Sequence, residues 1–120
     1  MAVRALRGAT CLTADDREEM HDAVVELLAE MLERNGMSTD DLISIVFTAT
    51  PDLHCEFPAA AARQLSLGDV PLLCAQELDV DGALPRVVRV LVHAETPLAR
   101  HDIVHVYLRG AEVLRKDLAQ

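Results

Sequence analysis

Apolar residues recur along this chain with two different periods, and the changes of period mark its elements. From Val3 to Leu12 the alternation predicts a strand, broken at Gly8. Met20, Val24, Leu27, Leu28 and Met31 then return every three or four positions, the stripe of an amphipathic helix. Its start is predicted from Thr13 as N-cap, with Asp16 three residues on and Glu18 and Glu19 at the positive end of the dipole. Gly36 ends it. Ser38 to Asp41 repeats the capping pattern at a short turn, and "LISIVFTAT" follows as a β-branched strand that stops at Pro51. "FPAAAARQLS" reads as a short helix with Pro58 in its first turn. Next come a strand in "VPLLCAQEL", the turn "DVDG", a strand from Arg86 to Ala94, and, past a loop at Pro97, a strand in "DIVHVYL". "GAEVLRKDL" is expected as an extended tail. Strands outnumber helices and neighbour one another in sequence, so the expected class is α+β, a mixed sheet packed against one long helix and short helical turns.

Length and composition narrow this further. With 120 residues and no linker or repeat, residues 1–120 are expected to form one domain, with 116–120 as a mobile C-terminal tail. Hydrophobic residues at 51% can fill a core, but aromatics at 2% mean that Val, Leu, Ala and Met must build it. A chain this short tends to leave apolar strand faces for a subunit interface. The net charge of −9 argues against nucleic acid or an anionic membrane surface as partner, since both call for a clustered basic face. Three dispersed cysteines, Cys11, Cys55 and Cys74, fit reduced thiols in a cytoplasmic protein and suggest no metal site. No apolar run approaches the roughly 20 residues of a membrane span.

Several polar residues do not fit a core. In "RVVRVLVH", Arg89 shares a face with Val87, Leu91 and His93, opposite Val88, Val90 and Val92, and both faces read as largely buried. A buried charge needs a carboxylate partner, a strand end, or a pocket that receives an anion, and the pattern leaves these open. Glu77 raises the same question one strand earlier. Tyr107 and His105 share a face of "DIVHVYL", with His105 expected as an outer-face histidine. His54 and Cys55 are adjacent, which does not supply the geometry of a nucleophilic dyad. Arg7, Arg63, Arg89 and Arg115 are spread over strand, helix, strand and tail, a surplus suited to a carboxylate-binding pocket.

The segments "RALRGAT", "TATPDLHCEFPAAAARQLS", "VPLLCAQELDV", "RVVRVLV", "HVYL" and "VLRKDL" occur in an order that resembles the trimeric, monofunctional chorismate mutases of the pseudo-α/β-barrel type, over essentially the whole chain. The resemblance implies a homotrimer with sites between subunits and conversion of chorismate to prephenate, a step of phenylalanine and tyrosine biosynthesis that uses no cofactor. By matching positions it implies that Arg7 and Arg89 bind substrate, with Arg89 directed at the ether oxygen of the breaking bond. Glu77 and Cys74 would lie by the ring, Tyr107 would hydrogen-bond a carboxylate, and the backbone from Leu73 through Ala75 and Gln76 to Glu77 would line the pocket. Phe57 and Arg63 would stand at its mouth, and Leu114 and Arg115 would belong to a closing tail. Leu73 and Lys116 depart from the family pattern, where a small hydroxyl residue and a proline are expected. Regular alternation sends Cys74 and Glu77 to opposite faces, so this placement requires a bulge or a strand end near Gln76. Two other readings remain: a small trimeric imine or enamine deaminase, and a non-catalytic aromatic amino-acid-binding regulatory module.

Overall fold

A computed structural model describes residues 1–118, with side chains through Arg115. The mobile tail expected at 116–120 lies outside the residues so described. Five strands form one sheet in the order β3-β2-β4-β1-β5: β1 (Ala2–Cys11), β2 (Leu42–Ala49), β3 (Leu72–Gln76), β4 (Val87–Thr96) and β5 (Val106–Leu108). β4 runs antiparallel to both of its neighbours, β1 and β2, whereas β3 is parallel to β2 and β5 is parallel to β1. Two helices accompany the sheet, α1 (Arg17–Arg34) and α2 (Pro58–Ala62), giving a mixed α+β fold.

The period-3.6 stripe does what its spacing implies. Met20, Val24, Leu27, Leu28 and Met31 are buried in one cluster with the inward strand residues Leu6, Ile45, Phe47, Val88, Val90 and Val92. Those strand residues sit at alternating positions, so the sheet spends one whole face on the helix. Gly8 does not break β1, which runs through it. A Cβ at Gly8 would lie 2.5 Å from the Met31 sulfur and 3.1 Å from a Val90 methyl, so this glycine answers a close approach of helix to strand.

The other face is not covered within one chain, which corrects the expectation that both faces of β4 are buried. Arg89, Leu91 and Glu95 are exposed, and His93 is half-buried, while Val88, Val90 and Val92 are enclosed. The reason is architectural: α1, the longer of the two helices among the described residues, lies on the opposite side of the sheet.

Three boundaries also differ from the sequence pattern. The N-cap of α1 is Asp16, whose carboxylate accepts the Glu19 amide at 2.8 Å. Thr13 instead donates its own N–H to the Glu19 carboxylate at 2.7 Å, so the capping pattern acts three residues further along. The strand expected in "DIVHVYL" shrinks to Val106–Leu108, because the Asn35 side chain takes both the N–H and the C=O of Val104, at 2.8 and 2.9 Å. A residue with both backbone groups bound in this way has none left for a ladder. "GAEVLRKDL" is not an extended tail but a 3-10 helix, Ala111–Leu118, entered through Arg109 and Gly110 at φ 54° and 93°. Ala111 is fully buried there and joins Ala9 and Val87 in a second small cluster. Among the described residues no helix is long and apolar enough to cross a membrane.

Candidate active site

The sheet register assembles a cleft on the open face. Arg89 on β4 lies opposite Ala9 on β1 and Thr48 on β2, and Tyr107 on β5 lies opposite Ala9 from the other side. Small neighbours at these positions leave room, and Arg7, two residues along β1, flanks the same space. The cleft encloses about 530 Å³ and is lined by Arg7, Thr48, Glu77, Arg89, Tyr107 and Leu114, with apolar wall residues such as Val46 and Leu91. Its charged residues are two arginines and one carboxylate, in a chain whose net charge is −9.

Glu77 follows the end of β3, and its amide still donates to the Ala49 carbonyl at 2.9 Å, so the backbone continues in register. Its carboxylate accepts a hydrogen bond from the Thr48 hydroxyl at 2.6 Å, and the same oxygen lies 3.5 Å from Arg89 Nε. Thr48 thus holds Glu77 while Glu77 steers Arg89. The Arg89–Glu77 contact is a longer ion pair that engages Nε, and the Arg89 side chain is 47% exposed. Among the described residues Arg89 has no second ion pair. Thr48 carries no signal of this role in the sequence, and only the sheet register sets it one strand over from Arg89.

The terminal 3-10 helix brings Leu114 into the cleft wall and sets the Arg115 guanidinium 5.6 Å from the centre of the Tyr107 ring, a cation–π distance. His105 is not a free outer-face histidine: its Nδ1 accepts the Arg7 backbone N–H at 2.9 Å. Burial, then the Arg7 and Arg115 charges, holds its imidazole below the ordinary value of 6.5.

A second cleft, of about 470 Å³, opens at the ends of β2 and β3, lined by Cys74, Ala75, Gln76 and the loop carrying Cys55, Phe57 and Pro58. That loop is tied to the start of α1. Asp15 accepts the amides of His54 and Cys55 at 2.8 and 2.9 Å, bonds that hold its carboxyl below the usual carboxylate range. Glu56 bonds Arg17 at 3.0 Å and His21 at 3.1 Å. Desolvation, then a hydrogen bond to Asp15, pushes the Cys55 thiol up to about 11, so it stays protonated and is no nucleophile near neutral pH. Phe57 stands 71% exposed at the rim.

The sequence-selected residues therefore fall into two groups within one chain. Arg7, Glu77, Arg89, Tyr107 and Leu114 line the first cleft, and Phe57, Cys74, Ala75 and Gln76 the second. Leu73 lies outside both, exposed beside Val46 on the open sheet face, and Arg63 borders a separate cavity of about 420 Å³ near Gly68. β3 ends at Gln76 as anticipated, but its pairing with β2 is regular, with no bulge, so Cys74 and Glu77 are not united in one cleft of one chain.

A two-layer α+β domain with a cleft of paired arginines and one oriented carboxylate defines a class: a binder or transformer of a small anionic molecule. The comparisons with known proteins make this specific. Residues 3–118 match the family model described as chorismate mutase type I. The chain is 49% identical over 117 residues to a chorismate mutase of Thermus thermophilus, covering 97% of this chain and 96% of that one. It is 41% identical over 120 residues to a chorismate mutase of Bacillus subtilis, covering 99% and 94%. A solved structure of chorismate mutase from Clostridium thermocellum superposes with a TM-score of 0.89 at 45% identity, covering 91% of this chain and 97% of that chain. The chain belongs to the chorismate mutase type I family, and its activity is that of an isomerase, chorismate mutase. Neither the deaminase nor the regulatory-module reading is favoured by these matches.

Proposed function

We propose that chorismate is rearranged to prephenate in a site completed between neighbouring chains of a homotrimer, where the first cleft of one copy meets the second cleft of another. The observation that carries this reading is the Arg89 guanidinium in an open cleft beside Arg7, steered through Nε by a Glu77 that Thr48 holds. The separation of the two residue groups supports the inter-subunit part. So does the open sheet face, which exposes Val3, Leu73 and Leu91. Apolar area of this kind is typical of a face that another copy covers.

The chemistry asks little of a protein in the way of reactive groups. One C–O bond breaks and one C–C bond forms within the same molecule, with no proton transferred and nothing added. Rate comes from holding the flexible substrate in its compact conformer and from matching charge that develops as the ether bond lengthens. Arg89 meets the growing negative charge on the ether oxygen, and Glu77 keeps its fork aimed and complements the positive side of the ring. Arg7 and Tyr107 take a carboxylate. Cys74 and the backbone of Leu73, Ala75 and Gln76 line the ring, Phe57 and Arg63 flank the mouth, and Leu114 and Arg115 close over it. The chain acts as one domain, in a cytoplasmic setting that suits its three free cysteines. The negative net charge opposes long-range attraction of a dianion, so the arginines act by reversing the potential locally.

Light scattering on the size-exclusion peak tests the assembly. The expected mass is three times the 13.1 kDa of one chain. A monomer at micromolar concentration that still turns over chorismate would contradict a site shared between copies.

A further inference from the structure

Arg7 is held at the cleft through its backbone as well as by its place in the sheet. Parallel pairing of β1 with β5 begins only at Gly8↔Val106, so the Arg7 amide, on the β5 side, has no strand carbonyl to meet. His105 supplies the acceptor with its ring, Nδ1 receiving that N–H at 2.9 Å. An amide N–H can only donate, so Nδ1 carries no proton in this contact and the neutral ring keeps its hydrogen on Nε2.

From this geometry we propose that His105 is a positioning residue for substrate binding: its neutral ring fixes the main chain of Arg7, and protonation releases Arg7 and weakens capture of the substrate carboxylate. The inference rests on the assignment of Arg7 to the substrate site. Protonation turns the acceptor into a second donor facing a donor, beside two further cations. The charged groups acting on the ring are Arg7 from β1 and Arg115 from the terminal 3-10 helix, while Asp102 and His101 lie in the turn before it. Helix α1 meets this region through its C-cap Asn35, bonded to Val104, and through Glu26, paired with Arg109 beyond β5. Burial and the two arginines hold the ring below 6.5, so the neutral contact is complete above about that pH. It is lost as pH falls through the lower folded value.

The test is kcat and KM for chorismate from about pH 5 to 9, a range in which ordinary carboxylates are largely ionised. For the wild type, kcat should be flat because no essential proton moves, and kcat/KM should be flat above about pH 6.5 and fall below it through a rising KM. His105→Asn offers an amide oxygen to the same N–H and does not titrate, so the acid limb should vanish while kcat/KM at pH 8 stays within a few-fold of wild type. His105→Leu leaves the amide without an acceptor and should raise KM about tenfold at every pH. Long-range proton–nitrogen spectra of the wild type should show His105 Nδ1 unprotonated at pH 8, a readout that does not depend on any variant folding. An acid limb that persists in His105→Asn, a limb carried by kcat, or a protonated Nδ1 at pH 8 would overturn the proposal. Arg7→Ala separates the two levels. An unchanged KM there removes the site assignment and this inference with it, whereas a raised KM combined with a persistent limb in His105→Asn removes this inference alone.

Discussion

Arg89→Lys is expected to lower kcat for chorismate by about a hundredfold to a thousandfold, the usual effect of removing one donor aimed at a developing oxyanion. Lysine keeps the positive charge but loses the planar fork, so it cannot hold Glu77 through one nitrogen while presenting others to the ether oxygen. A compact ammonium also settles closer to the Glu77 carboxylate, which is anchored by a 2.6 Å bond from Thr48 and lies 3.5 Å from Arg89 Nε. The loss should appear in kcat, because the contact strengthens only as the C–O bond breaks. The fold should be unaffected, since the Arg89 side chain is 47% exposed and lies on the face that α1 does not cover. Loss of chorismate absorbance under saturating substrate measures the first effect, and circular dichroism measures the second. Turnover near wild type in a folded variant would remove Arg89 from its assigned role.

Arg7→Ala should have a different signature. A guanidinium on a substrate carboxylate is present in the bound substrate and in the transition state alike, so its removal acts mainly on KM. Charge-assisted hydrogen bonds are worth about 1.5 to 3 kcal/mol each, which places the fall in kcat/KM at about tenfold to a hundredfold or more, with kcat changed less. Arg7 is exposed on β1 and makes no ion pair among the described residues, so no structural contact accounts for such a loss. The check is a full Michaelis curve for each variant. If both substitutions struck kcat alone, the division of labour between the two arginines would be wrong.

What was legible in the sequence followed from period and from charge. The stripe Met20 to Met31 predicted α1 because only a helix brings those residues to one side, and Arg89 stood out because a charge inside a valine run demands a partner. Three features were not legible, each because the partner group lies far away in the chain. Asn35 cut β5 short by capturing Val104, an event with no local signature in "DIVHVYL". Thr48 looked like any strand threonine until the register set it beside Glu77. His105 read as an outer-face residue because its partner, the Arg7 amide, is 98 positions away in the chain. The openness of the Arg89 face was also hidden, since an apolar strand face reads the same whether a helix or a second copy covers it. Family resemblance added the residue set as a whole. It did not show that one chain divides that set between two clefts, which follows from regular β2–β3 pairing through Gln76.

In the proposed site Arg89 faces the ether oxygen in a pocket built from two chains. A crystal structure with an oxabicyclic dicarboxylate that mimics the transition state tests it most directly. The expected result is the ether oxygen within about 3 Å of the Arg89 guanidinium, a carboxylate on Arg7, and Phe57 and Cys74 contributed by the neighbouring subunit. An analogue bound within a single chain, or one whose ether oxygen faces solvent while Arg89 holds a carboxylate, would contradict it.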